Sequence, residues 1–189
     1  MVCDICSRGI GWLTPLVRRL LGVDGLDVDQ HQFRRVMGHF ATGVTILTTA
    51  LGEELHGMTA NALCSVSLDP LLVLVCVNKQ ARTHAVLSES GVFALNVLAE
   101  EQEHLSRLFA DDAVDAAHSL AGLSCRRGVT GAPIMADCLA FVECRVAAAY
   151  PGGDHTIFVG AVEDAGVLRD GQPLIFFRGA YGLSQEGHG

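Results

Sequence analysis

The chain has 189 residues, half of them hydrophobic, with a mean hydropathy of +0.36 and a formal net charge of −8. That length suits one domain with a real core. No apolar run reaches the length of a spanning helix, which argues against a membrane protein, and no basic stripe offers itself to nucleic acid.

The excess of apolar residues points to a subunit interface, since obligate dimers resemble a core cut in half. The seven cysteines are an odd number. Cys64, Cys76, Cys138 and Cys144 lie in apolar segments and read as small core residues of a reduced, cytoplasmic protein; the sequence leaves Cys125 open.

Residues 1–27 stand apart as an N-terminal extension, either disordered or used for docking. Cys3 and Cys6 form a lone C-x-x-C with no second pair at metal spacing, so no metal is expected. Trp12, Leu16 and Leu20 alternate with Arg18 and Arg19 as in a short amphipathic segment. The stretch lacks the apolar core of a secretory signal.

Asp29 is the expected N-cap of a helix carrying Phe33, Val36, Met37 and Phe40 at helical spacing, with Gly43 at its end. Val44–Thr49 is β-branched and reads as a strand. Gly52-Glu53-Glu54 turns into the next strand. Leu71–Val77 is a continuous apolar run, as in a strand buried on both faces. Ala81–Ser90 is a short helix, Val92–Leu98 a strand, and Glu100–Phe109 a helix whose acidic first turn suits the dipole. Residues 111–131 read as an irregular surface loop. Cys138–Tyr150 and His155–Glu163 alternate on either side of Pro151-Gly152-Gly153-Asp154, a hairpin signal. Leu174–Phe177 is a last strand. Many strands, tight turns and short helices predict a mainly β fold, a closed or nearly closed barrel with peripheral helices. No G-x-G-x-x-G, P-loop, G-x-S-x-G or H-E-x-x-H is present. His39, His104 and His118 are expected to face solvent.

The informative stretch runs from Leu55 to Thr83. Thr59, Asn61, Ser65 and Ser67 recur with period two, which places them on one face of a strand or strand-elbow. Two explanations compete: the solvated outer face of an edge strand, or a polar ligand lying along it. Gly57 admits close backbone approach. Beyond the next strand, Asn78, Lys79, Arg82 and Thr83 stand at a helix start, where backbone N–H groups favour a phosphate. Ordinary capping with surface charge is the rival reading of that cluster. Together the halves describe an elongated site, with a planar hydrogen-bonding head on the strand and a phosphate at the helix.

An ordered set of segments resembles the flavin reductase-like family, the short-chain flavin reductases of two-component monooxygenases. The segments are F-R-R-V-M-G-H-F-A-T-G-V-T-I-L-T-T (33–49), H-G-M-T-A-N-A-L-C-S-V-S-L-D-P (56–70), L-V-C-V-N-K-Q-A-R-T-H (74–84), F-A-L-N-V-L (93–98), G-G-D-H (152–155) and F-F-R-G-A-Y (176–181). The resemblance implies a split β-barrel that binds FMN or FAD, usually as a homodimer, over residues 28–185. It also implies hydride transfer from NADH, with NADPH as the alternative donor, and delivery of reduced flavin by diffusion to a separate flavin-dependent oxygenase. Carried over by position, it puts the flavin against His56, Gly57, Met58, Thr59, Asn61 and Ala62, with edge contacts from Cys76, Val77 and Asn78. Arg82 and Thr83 would hold the phosphate, and Phe109 would lie near the ring. Phe176, Phe177, Arg178 and Gly179 would face the nicotinamide, with His155 orienting it or serving only as a turn residue. Relatives often have two prolines where this chain has Asp69-Pro70-Leu71, which leaves FMN against FAD open. The competing function is an electron carrier or sensor on the same barrel, holding flavin tightly without using NAD(P)H.

Overall fold

The structure is a computed structural model that describes residues 28–111 and 120–182. The Cys3/Cys6 pair, the 1–27 extension, His118 and part of the expected loop lie outside those residues. The chain divides into two units at His39 and Phe40.

The first unit contributes helix α1 (Gln30–Met37). Its start follows the expected capping chemistry, with the Asp29 carboxylate accepting the Gln32 N–H at 2.6 Å. Its end does not. Gly38 is the C-cap, and Thr42–Gly43 is strand β1. Phe33, Val36 and Met37 lie in the helix as expected, but Phe40 falls beyond it, because the stop signal, Gly38, lies five residues before Gly43.

In the second unit, seven strands form one antiparallel sheet. They are β2 (Thr45–Leu51), β3 (Glu54–Ala60), β4 (Leu63–Leu68), β5 (Leu71–Asn78), β6 (Val92–Val97), β9 (Ala140–Gly152) and β10 (His155–Val167). Their spatial order is β3-β2-β6-β9-β10-β5-β4, so the sequence neighbours β3 and β4 occupy opposite edges. A flat sheet of this width would hold those edges roughly 29 Å apart, at about 4.8 Å per strand. The link from Ala60 to Leu63 reaches only about 11 Å. The sheet must therefore curl enough to bring the end of β3 and the start of β4 within that reach. On the β4 side of the link, the Cys76 N–H donates to the Ala62 carbonyl at 2.9 Å and continues the β4–β5 ladder past Leu63 and Val75.

This order corrects the period-two reading. Thr59 belongs to β3, whereas Ser65 and Ser67 belong to β4 at the other edge. They do not share a strand face, because the chain leaves β3 after Ala60. Nor is β5 buried throughout. Val75 and Val77 are enclosed, whereas Leu71 is 52% exposed at the open end of the strand.

Two helices cover the β2–β3 side: α2 (Arg82–Ser90) and α3 (Glu103–Phe109), the latter entered through a 3-10 turn at Glu100–Gln102. Leu87 of α2 is fully buried among Leu47, Val75, Val77, Phe93 and Phe158. A second cluster joins Leu105 and Phe109 of α3 to Val44, Ile46, Leu98 and Leu174.

The expected irregular loop contains order. Strand β7 (Cys125–Arg127) pairs with β8 (Pro133–Met135). The loop between them is held by the fully buried Glu143 carboxylate, which accepts the Val129 and Thr130 N–H groups at 2.8 and 2.6 Å. The hairpin signal was sound but short: its ladder runs through Pro151 and Gly152, leaving Gly153 and Asp154 as the turn. Strand β11 (Ile175–Phe177) lies between β1 and β12 (Ala180–Tyr181) in a separate three-stranded sheet.

Two of the four cysteines read as core are fully enclosed, Cys138 and Cys144. Burial pushes their thiols up to about 11 and about 12. Cys76 is half-buried and Cys64 is exposed, because β4 is an edge strand. No helix among the described residues is long and apolar enough to cross a membrane.

Gly160 marks the tightest packing inside the curled sheet. A Cβ there would stand 2.5 Å from Phe93 Cζ and 2.8 Å from Cys144 Cβ. Gly160→Ala should therefore lower the unfolding free energy by about 1–3 kcal/mol, the usual cost of overpacking. Urea unfolding checks this; an unchanged midpoint would show that the Phe93 ring moves aside freely.

Candidate active site

A cavity of about 320 Å³ opens beside β3, near the lower end of the range for small-molecule sites. Along the strand it is lined by His56, Gly57, Met58 and Thr59, with Asn61 beyond. Ala81, Arg82 and Thr83 bring the start of α2 to it, and Leu108, Phe109, Ala110 and Asp111 bring the end of α3. Val44, Phe176 and Tyr181 complete the lining.

Each element is fixed to β3 by a side chain. Thr83 Oγ1 donates to the Gly57 carbonyl at 3.3 Å, which seats α2. Thr59 Oγ1 donates to the Ser106 carbonyl at 2.7 Å, which seats α3. Asn61 Nδ2 donates to Thr42 Oγ1 at 3.2 Å and ties the strand end to β1. His56 lies 2.8 Å from Glu54 on the outer part of the strand. Gly57 does admit a close approach, but the approaching group is Phe109. A Cβ at this position would meet the Phe109 ring carbons at 3.1 and 3.2 Å.

One end of the cavity is suited to an anion. Ala81 makes no side-chain cap at the start of α2; its carbonyl accepts the His84 N–H at 3.0 Å. Arg82 is exposed there, and no carboxylate among the described residues pairs with it. The opposite wall is aromatic. Phe176 and Tyr181 meet edge to face at 5.3 Å. An apolar slot with a hydrogen-bonding floor and a cation at one end fits a planar heterocycle carrying phosphate.

Of the residues the sequence singled out, the structure gathers His56, Gly57, Met58, Thr59, Asn61, Arg82, Thr83, Phe109 and Phe176 around this cavity. The others lie outside its lining. Val77 is fully buried in the core, so its side chain has no ligand-facing surface. Ala62 and Cys76 are bonded to each other through their backbones at the end of the β4–β5 ladder. Asn78 accepts the Gln80 N–H at 2.8 Å and shapes the turn before α2. His155 stands opposite Asn78 in the β5–β10 ladder and lies 2.8 Å from Asp154. That hydrogen bond, with the charge beside it, holds the Asp154 carboxyl below its ordinary range. Phe177, Arg178 and Gly179 form the β11–β12 hairpin and its turn. Arg178 and Gly179 both have positive φ, 52° and 82°, as a two-residue primed turn requires. Arginine is a costly residue for that conformation.

Sequence reasoning missed Val44, Ala81, Leu108, Ala110, Asp111 and Tyr181. Tyr181 had a usable signal, since two residues between Phe177 and Ala180 form a hairpin turn that sets Tyr181 opposite Phe176. The α3 residues had none, because helix position relative to β3 is set by tertiary packing.

The model of the flavin reductase like domain matches residues 37–183. The chain belongs to that family. Among its relatives, an NADH-dependent flavin reductase from a Rhodococcus species is 42% identical over 160 residues, covering 82% of this chain and 86% of the relative. The reductase subunit HsaB of a flavin-dependent monooxygenase from Rhodococcus jostii is 37% identical, covering 82% and 77%. Solved structures agree. BorF, the flavin reductase component of a bacterial two-component tryptophan halogenase, is 39% identical with a TM-score of 0.77, covering 81% of this chain and 96% of BorF. The NADH:FAD oxidoreductase SgcE6 of Streptomyces globisporus, in complex with NAD and FAD fragments, is 39% identical with a TM-score of 0.76, covering 85% and 96%.

The Thr59–Ser106 bond gives the site a direct test. Thr59→Val keeps the shape and removes the donor, while the Ser106 carbonyl keeps the Ala110 N–H. The loss should be about 1 kcal/mol of stability, with faster hydrogen exchange concentrated in residues 103–110. Exchange unchanged in that helix would show that Thr59 does not seat it.

Proposed function

We propose that this chain is an NAD(P)H:flavin oxidoreductase, with NADH the favoured donor. It reduces free FMN or FAD and supplies the reduced flavin to a partner monooxygenase. The observation that carries this reading is one cavity joining β3 residues His56–Thr59, apolar side chains such as Phe109 and Phe176, and the Arg82 helix start. The relatives named as NADH-dependent flavin reductases and as reductase components support it. The reading assigns residues 28–185 to the catalytic domain.

When bound, the nicotinamide supplies the hydride and the flavin ring accepts it. The chain's part is placement. The backbone along His56–Asn61 offers hydrogen-bonding groups to the polar edge of the ring and to negative charge growing there. Arg82 and the N–H groups around Thr83 take the phosphate. Phe109 and Phe176 bound the slot and exclude water from its walls. Holding two cofactors in near-attack geometry is the main contribution, because it converts a bimolecular encounter into a unimolecular step. His155, Phe177, Arg178 and Gly179 stand outside the lining, on the hairpins where a second cofactor would approach. A retained-flavin carrier or sensor would need no such approach.

Under anaerobic conditions the purified chain should speed the bleaching of FMN or FAD by NADH well beyond the rate in buffer. Bleaching no faster than the buffer rate would end the reductase reading. Arg82→Ala should weaken FMN about tenfold, a loss of about 1.4 kcal/mol within the range of a charge-assisted hydrogen bond, and leave riboflavin nearly unchanged. Equal losses for both ligands would remove the phosphate from Arg82.

The same reading extends to assembly. A curled sheet of this order suits a split barrel closed at the β3–β4 link. Along β4 and the start of β5, Leu63, Val66, Leu68 and Leu71 are 38%, 48%, 83% and 52% exposed. A contiguous apolar strip of this kind on an edge strand is normally covered, and a homodimer would cover it. Light scattering should give twice the chain mass, and Leu68→Glu should halve it. A wild-type monomer at micromolar concentration would refute the dimer. The free thiols of Cys64, Cys76, Cys125, Cys138 and Cys144 suit a reducing, cytoplasmic setting.

A further inference from the structure

Ser106 sits at a junction that the cavity description leaves without a role. It is fully buried, yet its carbonyl and its hydroxyl each bond to a segment outside α3. Its carbonyl accepts Thr59 Oγ1 from β3, 47 residues away, at 2.7 Å. Its hydroxyl lies 2.8 Å from the Tyr181 hydroxyl on β12, 75 residues away. Three segments that wall the cavity therefore meet at one residue.

Tyr181 is held on further sides. Its ring meets Phe176 edge to face at 5.3 Å, across the β11–β12 ladder. The Arg107 guanidinium lies 4.9 Å over the same ring, and Glu103 anchors Arg107 from one helical turn back at 2.6 Å. Ser106 and Arg107 thus grip Tyr181 from successive positions of α3. The same helix ends in Phe109, and the same hairpin carries Phe176; both rings line the cavity.

We propose that Tyr181 is a positioning residue for the flavin ring. Through its hydroxyl bond to Ser106 it fixes the distance between the α3 wall, with Phe109, and the hairpin wall, with Phe176. This rests on the flavin reading of the cavity. The physical argument is one of specificity over stability. A partly buried neutral hydroxyl pair adds only about 0.5–1.5 kcal/mol to folding, and an apolar pair of the same shape would do nearly as well. What the pair adds is direction, because a hydrogen bond holds its two partners in one geometry whereas apolar contact lets a wall slide. A planar ligand gains most from a slot whose walls are already at the right spacing, since binding then need not order them. The sequence alone could not have supplied this: nothing in its local pattern ties Ser106 to Tyr181.

The test uses the full chain and Tyr181→Phe, which removes one oxygen and keeps the ring against Phe176 and Arg107. Ser106→Ala and the double variant complete a cycle. Riboflavin and FMN binding are read by titration, together with kcat and KM for flavin under NADH saturation. Tyr181→Phe should weaken both flavins about tenfold and raise KM for flavin, with kcat at saturating flavin within twofold of wild type. Ser106→Ala should do the same, and the double variant should lose no more than either single one. Urea midpoints, measured alongside, separate affinity from folding. Flavin affinity within twofold of wild type in Tyr181→Phe would overturn the proposal. So would losses that multiply in the double variant. If the wild-type chain itself bound neither flavin, the reading of the cavity would fall first and the role of Tyr181 with it.

Discussion

Two residues, Asn61 and Ala62, carry the chain between opposite edges of a seven-stranded sheet. Everything else follows from that short reach. The sheet has to curl, because a flat one would leave its edges too far apart for the link. Curling makes an inside, which Phe93, Val75, Val77 and Phe158 fill. It also forces close approaches that only small residues permit, most clearly at Gly160 under the Phe93 ring. An edge strand is left over on each side of the link, with different fates. β3 is covered by α2 and α3, and the cavity forms there. β4 keeps its apolar side chains exposed.

The site is built from weak parts placed accurately. No buried charge sits in it, and the described residues contain no cluster able to hold a metal ion. The hydroxyls of Thr59 and Thr83 are spent on seating helices against β3. This changes what the polar residues of this stretch mean. Their side chains position the walls. Such an arrangement suits a reaction in which both reactive groups are brought by cofactors and the chain supplies proximity.

Specificity and stability separate at several points. The Arg178 conformation is costly for a non-glycine residue, yet the turn between Phe177 and Ala180 carries it. The buried Ser106 spends its hydroxyl on the partly buried Tyr181 where apolar residues would pack. Departures of this kind from the locally cheapest choice are expected where a chain handles ligands. By contrast, Glu143 spends its buried carboxylate on the loop at Val129 and Thr130, away from the cavity lining, and serves the fold.

The sequence by itself determined the elements whose signals are local. Asp29 capped a helix because a carboxylate reaches the N–H three residues on. The long hairpin was legible because alternation and a Gly-Asp turn lie within one stretch of chain. The mainly β class and the Arg82–Thr83 helix start were legible for the same reason, and the ordered family segments reached most of the cavity floor. Only the tertiary structure decided what depends on distant neighbours. Period two put Thr59 and Ser65 on one face, but a strand change between them placed them on opposite edges. An apolar run said that β5 was buried, but its place beside an edge strand left Leu71 exposed. Tyr181 became part of the site through residues 5, 75 and 74 positions back, Phe176, Ser106 and Arg107. Periodicity records which way a side chain points from its own backbone; it carries no information about which other segment arrives there.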